Sequence, residues 1–317
     1  MKINKAKINE AKKNTAKNNE AFLVDSELLS ELKSLFFSTK KLSTASVIGG
    51  YRSAYKGRGV EFEELREYQI GDDVRTIDWK VTARTSKLFV KSYREERDLS
   101  IVIAVDLSSS TITGSSYGLK NRLIAKIAAA LSFIAVENRD RVGLLSFAGD
   151  VIAFTPPKRS KSIVWKSLHD VLGAEREYPN TSISNACNFL LKSLKSNTVV
   201  FIVSDFCDNN FHEALGALAR KHDVTAILTS DPIDRSISEI GLLRVKEPES
   251  GKVFTLDFSN KKVLKNYAEA ALKSRTQIKQ LFEKAQVKAF EISTKDDIAE
   301  KLREYFSKKT KFLNITP

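Results

Sequence analysis

The run from Leu99 to Ser110, LSIVIAVDLSSS, constrains this chain more than any other stretch. Its first half is apolar and rich in β-branched residues, the length and composition of a buried strand. The strand stops at Asp106-Leu107-Ser108-Ser109-Ser110, so one carboxylate and a set of small hydroxyls fall on a tight loop at its carboxyl end. Hard cations such as Mg²⁺ take oxygen ligands, keep several waters and need only one or two protein carboxylates. The same residues also suit a plain serine-rich turn.

Beyond this strand, helical and strand patterns alternate. A helix is expected over 119–138, with Leu123, Ile124, Ile127, Ala130, Leu131 and Ile134 on its inner face. Strands are expected at 142–147 and 151–155, joined by a hairpin turn at Ala148-Gly149-Asp150. Helices over 160–172 and 182–195 lead to a buried strand at 198–204 (TVVFIVS), a helix over 211–221 and a strand at 223–229. A hairpin over 240–258, a helix over 260–284, a strand at 287–293 and a helix over 295–308 complete the pattern. Alternation of this kind predicts an α/β fold, a doubly wound and mostly parallel sheet with helices on both faces.

The amino-terminal third is different in character. Residues 1–24 read as a disordered basic tail, with six lysines against two glutamates in the first 20 positions. An amphipathic helix is expected over 25–37, capped by Asp25 or Ser26, with Leu28, Leu29, Leu32, Leu35 and Phe36 as its stripe. Residues 40–59 read as a loop and Gly71-Asp72-Asp73 as a turn. Lys87 to Tyr93 alternates as a strand would. The domains expected are thus the tail, a smaller module over 25–97, and the α/β domain over 98–317.

In open α/β sheets, ligands sit beyond the carboxyl ends of the strands, where the strand order reverses. Two further loops should meet Asp106, Ser108 and Ser110 there. Tyr178-Pro179-Asn180-Thr181-Ser182 offers the Thr181 hydroxyl, and Ser204-Asp205-Phe206-Cys207-Asp208 offers the Asp205 carboxylate. Thr181 or Ser182 also suits an N-cap, and Asp205 a turn. The metal set expected is Asp106, Ser108, Ser110, Thr181 and Asp205, around one divalent cation, Mg²⁺ or else Mn²⁺ or Ca²⁺. The Asp106 loop is expected at the surface, its carboxylate outside the core.

The order Asp106-x-Ser108-x-Ser110, Thr181, Asp205 resembles the metal-ion-dependent adhesion site of von Willebrand factor A-type domains. The block before it, Gly57-Arg58-Gly59-Val60-Glu61-Phe62, Leu65-Arg66-Glu67-Tyr68, Gly71-Asp72-Asp73-x-Arg75-x-Ile77-Asp78-Trp79 and Ala83-Arg84, resembles the signature of the bacterial domain-of-unknown-function family 58. The resemblance spans about residues 40–305. It implies an accessory protein working beside a MoxR-type AAA+ ATPase in chaperone-like assembly or stress response, on a client protein, with no catalytic activity of its own. Asp72, Asp73, Arg75, Asp78, Trp79 and Arg84 read as a salt-bridge and packing network fixing the first module to the sheet, or as a partner contact. Gly57-Arg58-Gly59 suits a turn, or a phosphate cradle.

Composition bounds the rest. With 52 basic and 39 acidic residues the net charge is +13, which favours acidic partners and leaves peripheral membrane contact open. Two other functions compete with the interaction module. Asp106 and Asp205 with Mg²⁺ suit phosphoryl-transfer chemistry, but no nucleophile–base pair or phosphate loop accompanies them. The basic charge suits nucleic acid, but no binding motif or aromatic–basic interleaving does. Cys187 and Cys207 lack zinc or redox spacing, and His169, His212 and His222 do not cluster. No run approaches the ~20 apolar residues of a membrane span, and the start lacks the apolar core of a secretory signal. A cytoplasmic location is expected.

Overall fold

The structure is a computed structural model, and it describes residues 48–51, 54–55, 61–85, 87–94, 99–160, 178, 180–195, 197–208, 210–246 and 252–313. The expected tail, the helix over 25–37, the helix over 160–172 and Gly57-Arg58-Gly59 lie outside them.

The dominant element is a six-stranded sheet. Its strands are β3 (Ser100–Asp106), β6 (Arg141–Phe147), β7 (Val151–Lys158), β8 (Val199–Ser204), β9 (Asp223–Ser230) and β12 (Lys288–Ser293). They lie in the order β12-β9-β8-β3-β6-β7. Every pairing is parallel except β6 with β7. That exception is the hairpin at Ala148-Gly149-Asp150, closed by the Ala148 amide on the Asp150 carbonyl at 2.9 Å. Gly143 permits it, since a Cβ there would meet the Thr155 carbonyl at 2.7 Å. As an edge strand, β7 tolerates Pro156 and Pro157, which cannot donate to a ladder. After β3, two small antiparallel pairs stand apart from this sheet among the described residues: β4 (Gly114–Ser115) with β5 (Gly118–Leu119), and β10 (Leu242–Lys246) with β11 (Val253–Asp257).

Period-2 alternation sends side chains of β3 and β8 to two separate cores. On one face Ile101, Ile103, Val105, Val199, Phe201 and Val203 pack against α2 (Lys120–Glu137) and α6 (Ile298–Leu313). On the other, Val102, Ala104, Val200 and Ile202 pack against α3 (Ile183–Ser193), α4 (His212–Lys221) and α5 (Lys261–Lys284). Both strands are buried on both sides, which is why they read as unbroken apolar runs. The six residues expected on the inner face of α2 are all buried. Among the described residues, no helix is long and apolar enough to cross a membrane.

The module before β3 departs from its sequence reading. Its hairpin pairs β1 (Glu61–Glu67) with β2 (Phe89–Arg94) and encloses α1 (Trp79–Thr85). Only β2 and the turn at Gly71 were legible, because β1 reads EFEELRE and carries too few apolar residues to alternate. The loop expected over 40–59 is corrected where it is described: residues 48–51 and 54 are helical. Tyr51, Ala54 and Tyr55 are buried in the first core, and Tyr51 lies edge-on to Phe306 at 5.5 Å. Apolar burial of two tyrosines outweighs the loop-like composition around them.

Tyr51 also donates its hydroxyl to Asp140 Oδ2 at 2.7 Å, and Asp140 Oδ1 accepts the Leu99 amide at 3.1 Å. Burial first, and the Asp140 charge second, hold the Tyr51 phenol well above its ordinary pKa. Tyr51→Phe removes a buried bond to a charged acceptor and should cost about 1.5 kcal/mol of stability. Chemical denaturation checks this; an unchanged midpoint would show that the hydroxyl contributes nothing.

The acidic signature forms local bonds. Asp72 takes a bidentate ion pair from Arg66, 2.7 Å on each oxygen, which with the Gln69 amide holds its carboxyl below the ordinary value. Asp73 accepts the Arg75 amide, and Asp78 accepts the amides of Lys80 and Val81 at the start of α1. Trp79 is 66% exposed. The packing role expected for it is therefore corrected: its side chain is exposed, as are those of Ile70 and Val74.

Candidate functional site

The strand order places the site. From β3 the chain moves to β6 on one side and later returns to β8 on the other. The crevice of this α/β sheet therefore opens beyond the carboxyl ends of β3 and β8, which pair in register as far as Val105 and Val203. Asp106 ends β3, and Asp205 comes directly after β8.

Four of the five expected residues are joined there by direct bonds. Asp106 Oδ1 accepts the Ser108 amide at 2.8 Å. The Ser108 and Ser110 hydroxyls lie 3.0 Å apart, and Ser110 donates to Asp205 Oδ1 at 3.2 Å. The fifth, Thr181, sits on a segment tied to both loops. The Ser109 amide and hydroxyl reach the Tyr178 carbonyl at 2.8 and 2.9 Å, and Asp208 Oδ2 accepts the Ile183 amide at 2.9 Å. Thr181 Oγ1 is buried and has no hydrogen-bond partner among the described residues. The helix cap proposed as its alternative is made by Ser182, whose hydroxyl accepts the Asn185 amide.

The expectation that the Asp106 carboxylate lies at the surface is corrected. Asp106 and Ser108 are fully buried. Burial, and next the negative charge of Asp205, push the Asp106 carboxyl up to about 6. It is sustained by a residue that sequence reasoning missed: Ser204 Oγ donates to Asp106 Oδ2 at 2.6 Å and accepts the Phe206 amide at 2.9 Å. Phe206 holds a left-handed backbone, φ 54°, costly for a bulky residue. Its ring is clamped edge-on by Phe282 at 4.8 Å and by Phe211 at 5.4 Å. Packing on the far face of the sheet thereby fixes the turn that presents Asp205.

The larger omission is Lys120. Its ammonium donates to Asp205 Oδ2 at 2.9 Å and lies 3.6 Å from Asp234 Oδ2. The Lys120 side chain is 5% exposed and that of Asp205 is 3%. Burial pulls the ammonium toward neutrality, but the carboxylates of Asp205 and Asp234 outweigh it and its pKa is raised. A signal was present. Lys120 opens α2, where no acidic residue stands in the first turn and the helix dipole opposes a cation. A lysine there needs a partner from elsewhere.

The joined donor set is all oxygen, two carboxylates and two hydroxyls, with Thr181 on the neighbouring segment. It suits a hard cation better than a soft one. Among the described residues no three His, Cys, Asp or Glu side chains gather as a metal cluster. A cation here would therefore rest on two carboxylates with hydroxyls and water. Asp106, Ser108, Ser110 and Asp205 are the residues whose oxygens meet for that role.

Comparison with known proteins places the chain in a family. It is 29% identical over 242 residues to "Uncharacterized protein Mb1516" of Mycobacterium bovis, a match covering 74% of this chain and 75% of that one. "Uncharacterized protein Rv1480" of Mycobacterium tuberculosis matches to the same extent. Among solved structures, the hypothetical protein BatB from Bacteroides thetaiotaomicron aligns with 18% identity and a TM-score of 0.41, over 67% of this chain and 99% of that one. An aerotolerance-related membrane protein from Bacteroides fragilis aligns with 15% identity and a TM-score of 0.43, over 68% and 99%. The family model described as "Protein of unknown function DUF58" matches residues 64–277, from β1 through most of α5, and the chain belongs to that family.

Proposed function

We propose that this protein is a metal-dependent interaction module with a von Willebrand factor A-like domain, and that it serves a MoxR-type AAA+ ATPase in chaperone-like assembly or stress response. The observation that carries this reading is the meeting of Asp106, Ser108, Ser110 and Asp205 at the switch point of the sheet. Three loops supply few donors. A divalent cation held there keeps positions for water or for a carboxylate brought by a partner. The chain's own part is to hold the oxygens together and to exclude bulk water from Asp106. The exposed Ile70, Val74 and Trp79 give the first module an apolar surface for the same assembly or its client. The expected setting is the cytoplasm, where such ATPases work.

The test is the affinity of the full chain for the ATPase in Mg²⁺ and in chelator. Binding that weakens about tenfold or more in chelator supports the reading. Binding indifferent to metal overturns it.

A further inference from the structure

Lys120 is where the site departs from a simple metal pocket. Every carboxylate oxygen that a cation would use is already engaged. Asp106 is held by Ser108 and Ser204, and Asp205 Oδ1 by Ser110 and the Cys207 amide at 3.3 Å. Asp205 Oδ2 holds the Lys120 ammonium. An ammonium is a compact point charge with no accepting lone pair, so it cannot share that oxygen with a divalent ion without strong repulsion. Nor can it stay buried unpaired.

A second acceptor lies within reach of the ammonium. Asp234 Oδ2, 3.6 Å from the Lys120 Nζ, belongs to the turn Pro232–Asp234 at the end of β9. That turn is firmly built. Asp234 accepts the Asp231 amide at 2.8 Å, Asp231 accepts the Ile233 amide at 2.9 Å, and Tyr267 of α5 donates to the Ile233 carbonyl at 2.8 Å. Asp234 is 35% exposed, so part of its carboxylate faces water and can take a closer ion pair without further burial.

We propose that Lys120 is a tethered cation that occupies Asp205 in the metal-free protein and gives it up to a divalent ion by moving onto Asp234. This rests on the reading of the crevice as a metal site. The lysine then sets the affinity of the site. It keeps Asp205 paired without metal, and binding is an exchange of one cation for another.

The experiment measures Mn²⁺ affinity of the full chain by calorimetry, for wild type, Lys120→Met, Asp234→Asn and the double variant. Lys120→Met should bind about tenfold more tightly, and Asp234→Asn at least about threefold more weakly, because the displaced ammonium loses its destination. In the Lys120→Met background, Asp234→Asn should have no effect, since the coupling runs through the lysine. Should Lys120→Met fail to fold, Lys120→Gln carries the same expectation and keeps a donor for Asp205. Wild-type binding with no gain in the lysine variants overturns the exchange and leaves the metal site standing. An Asp234→Asn effect that persists without the lysine reduces Asp234 to a distant charge and also overturns it. No binding by any variant overturns the metal site itself, and the exchange with it.

Discussion

Asp106→Ala should bind the ATPase no better in Mg²⁺ than wild type does in chelator, a loss of about tenfold or more. Asp106 is the one carboxylate of the first loop, and its removal leaves a cation with Asp205 and neutral hydroxyls alone. The measurement is affinity for both proteins in Mg²⁺ and in chelator. Equal affinity in all four conditions would end the case for metal-mediated docking. Because Asp106 is buried and accepts from Ser108 and Ser204, the variant strands two donors. It also removes a charge that its surroundings disfavour. Those terms oppose each other, so the fold should survive, and the circular dichroism of the variant should match that of wild type.

Metal-free protein should lose roughly 2–3 kcal/mol through Asp106 alone between pH 4 and pH 7. The carboxyl titrates near 6 in the folded state against an ordinary 3.8, and each unit of difference is about 1.4 kcal/mol. Its folded pKa is raised, so the folded state holds the proton more tightly. Below about pH 4 both states are protonated and nothing is lost. As pH rises from 4 to 6 the unfolded chain releases its proton first and stability falls, and above 6 the cost is constant. The contribution is isolated by comparing wild type with Asp106→Asn in chelator across that range. Identical pH dependence in the two would refute it. Mg²⁺ favours the ionised carboxylate, so added metal should raise the melting temperature most at pH 7 and flatten the difference.

The α/β architecture was legible in the order of residues alone. Strands such as IVIAV and VVFIV can only be buried on both faces, and the helices between them carry single apolar stripes, so layer order comes from pattern. The sequence also set the chain order of the oxygen donors, because a strand that ends in Asp-x-Ser-x-Ser must present those groups at its carboxyl end. It could not pair β1 with β2, since the cross-strand partners of EFEELRE lie more than twenty residues away. Nor could it assign Tyr51 and Tyr55 to the core, because what buries them is Phe306, at the other end of the chain.

The electrostatics of the site come from contacts between distant segments. Burial of Asp106 depends on the Ser204 hydroxyl meeting it from the next strand. The ion pair on Asp205 depends on Lys120 arriving from α2, and the raised pKa of that ammonium on Asp205 and on Asp234 from the turn after β9. Local pattern records which residues stand near one another along the chain. Desolvation and Coulomb energy depend on which groups meet in space, and in this crevice those come from four separate segments.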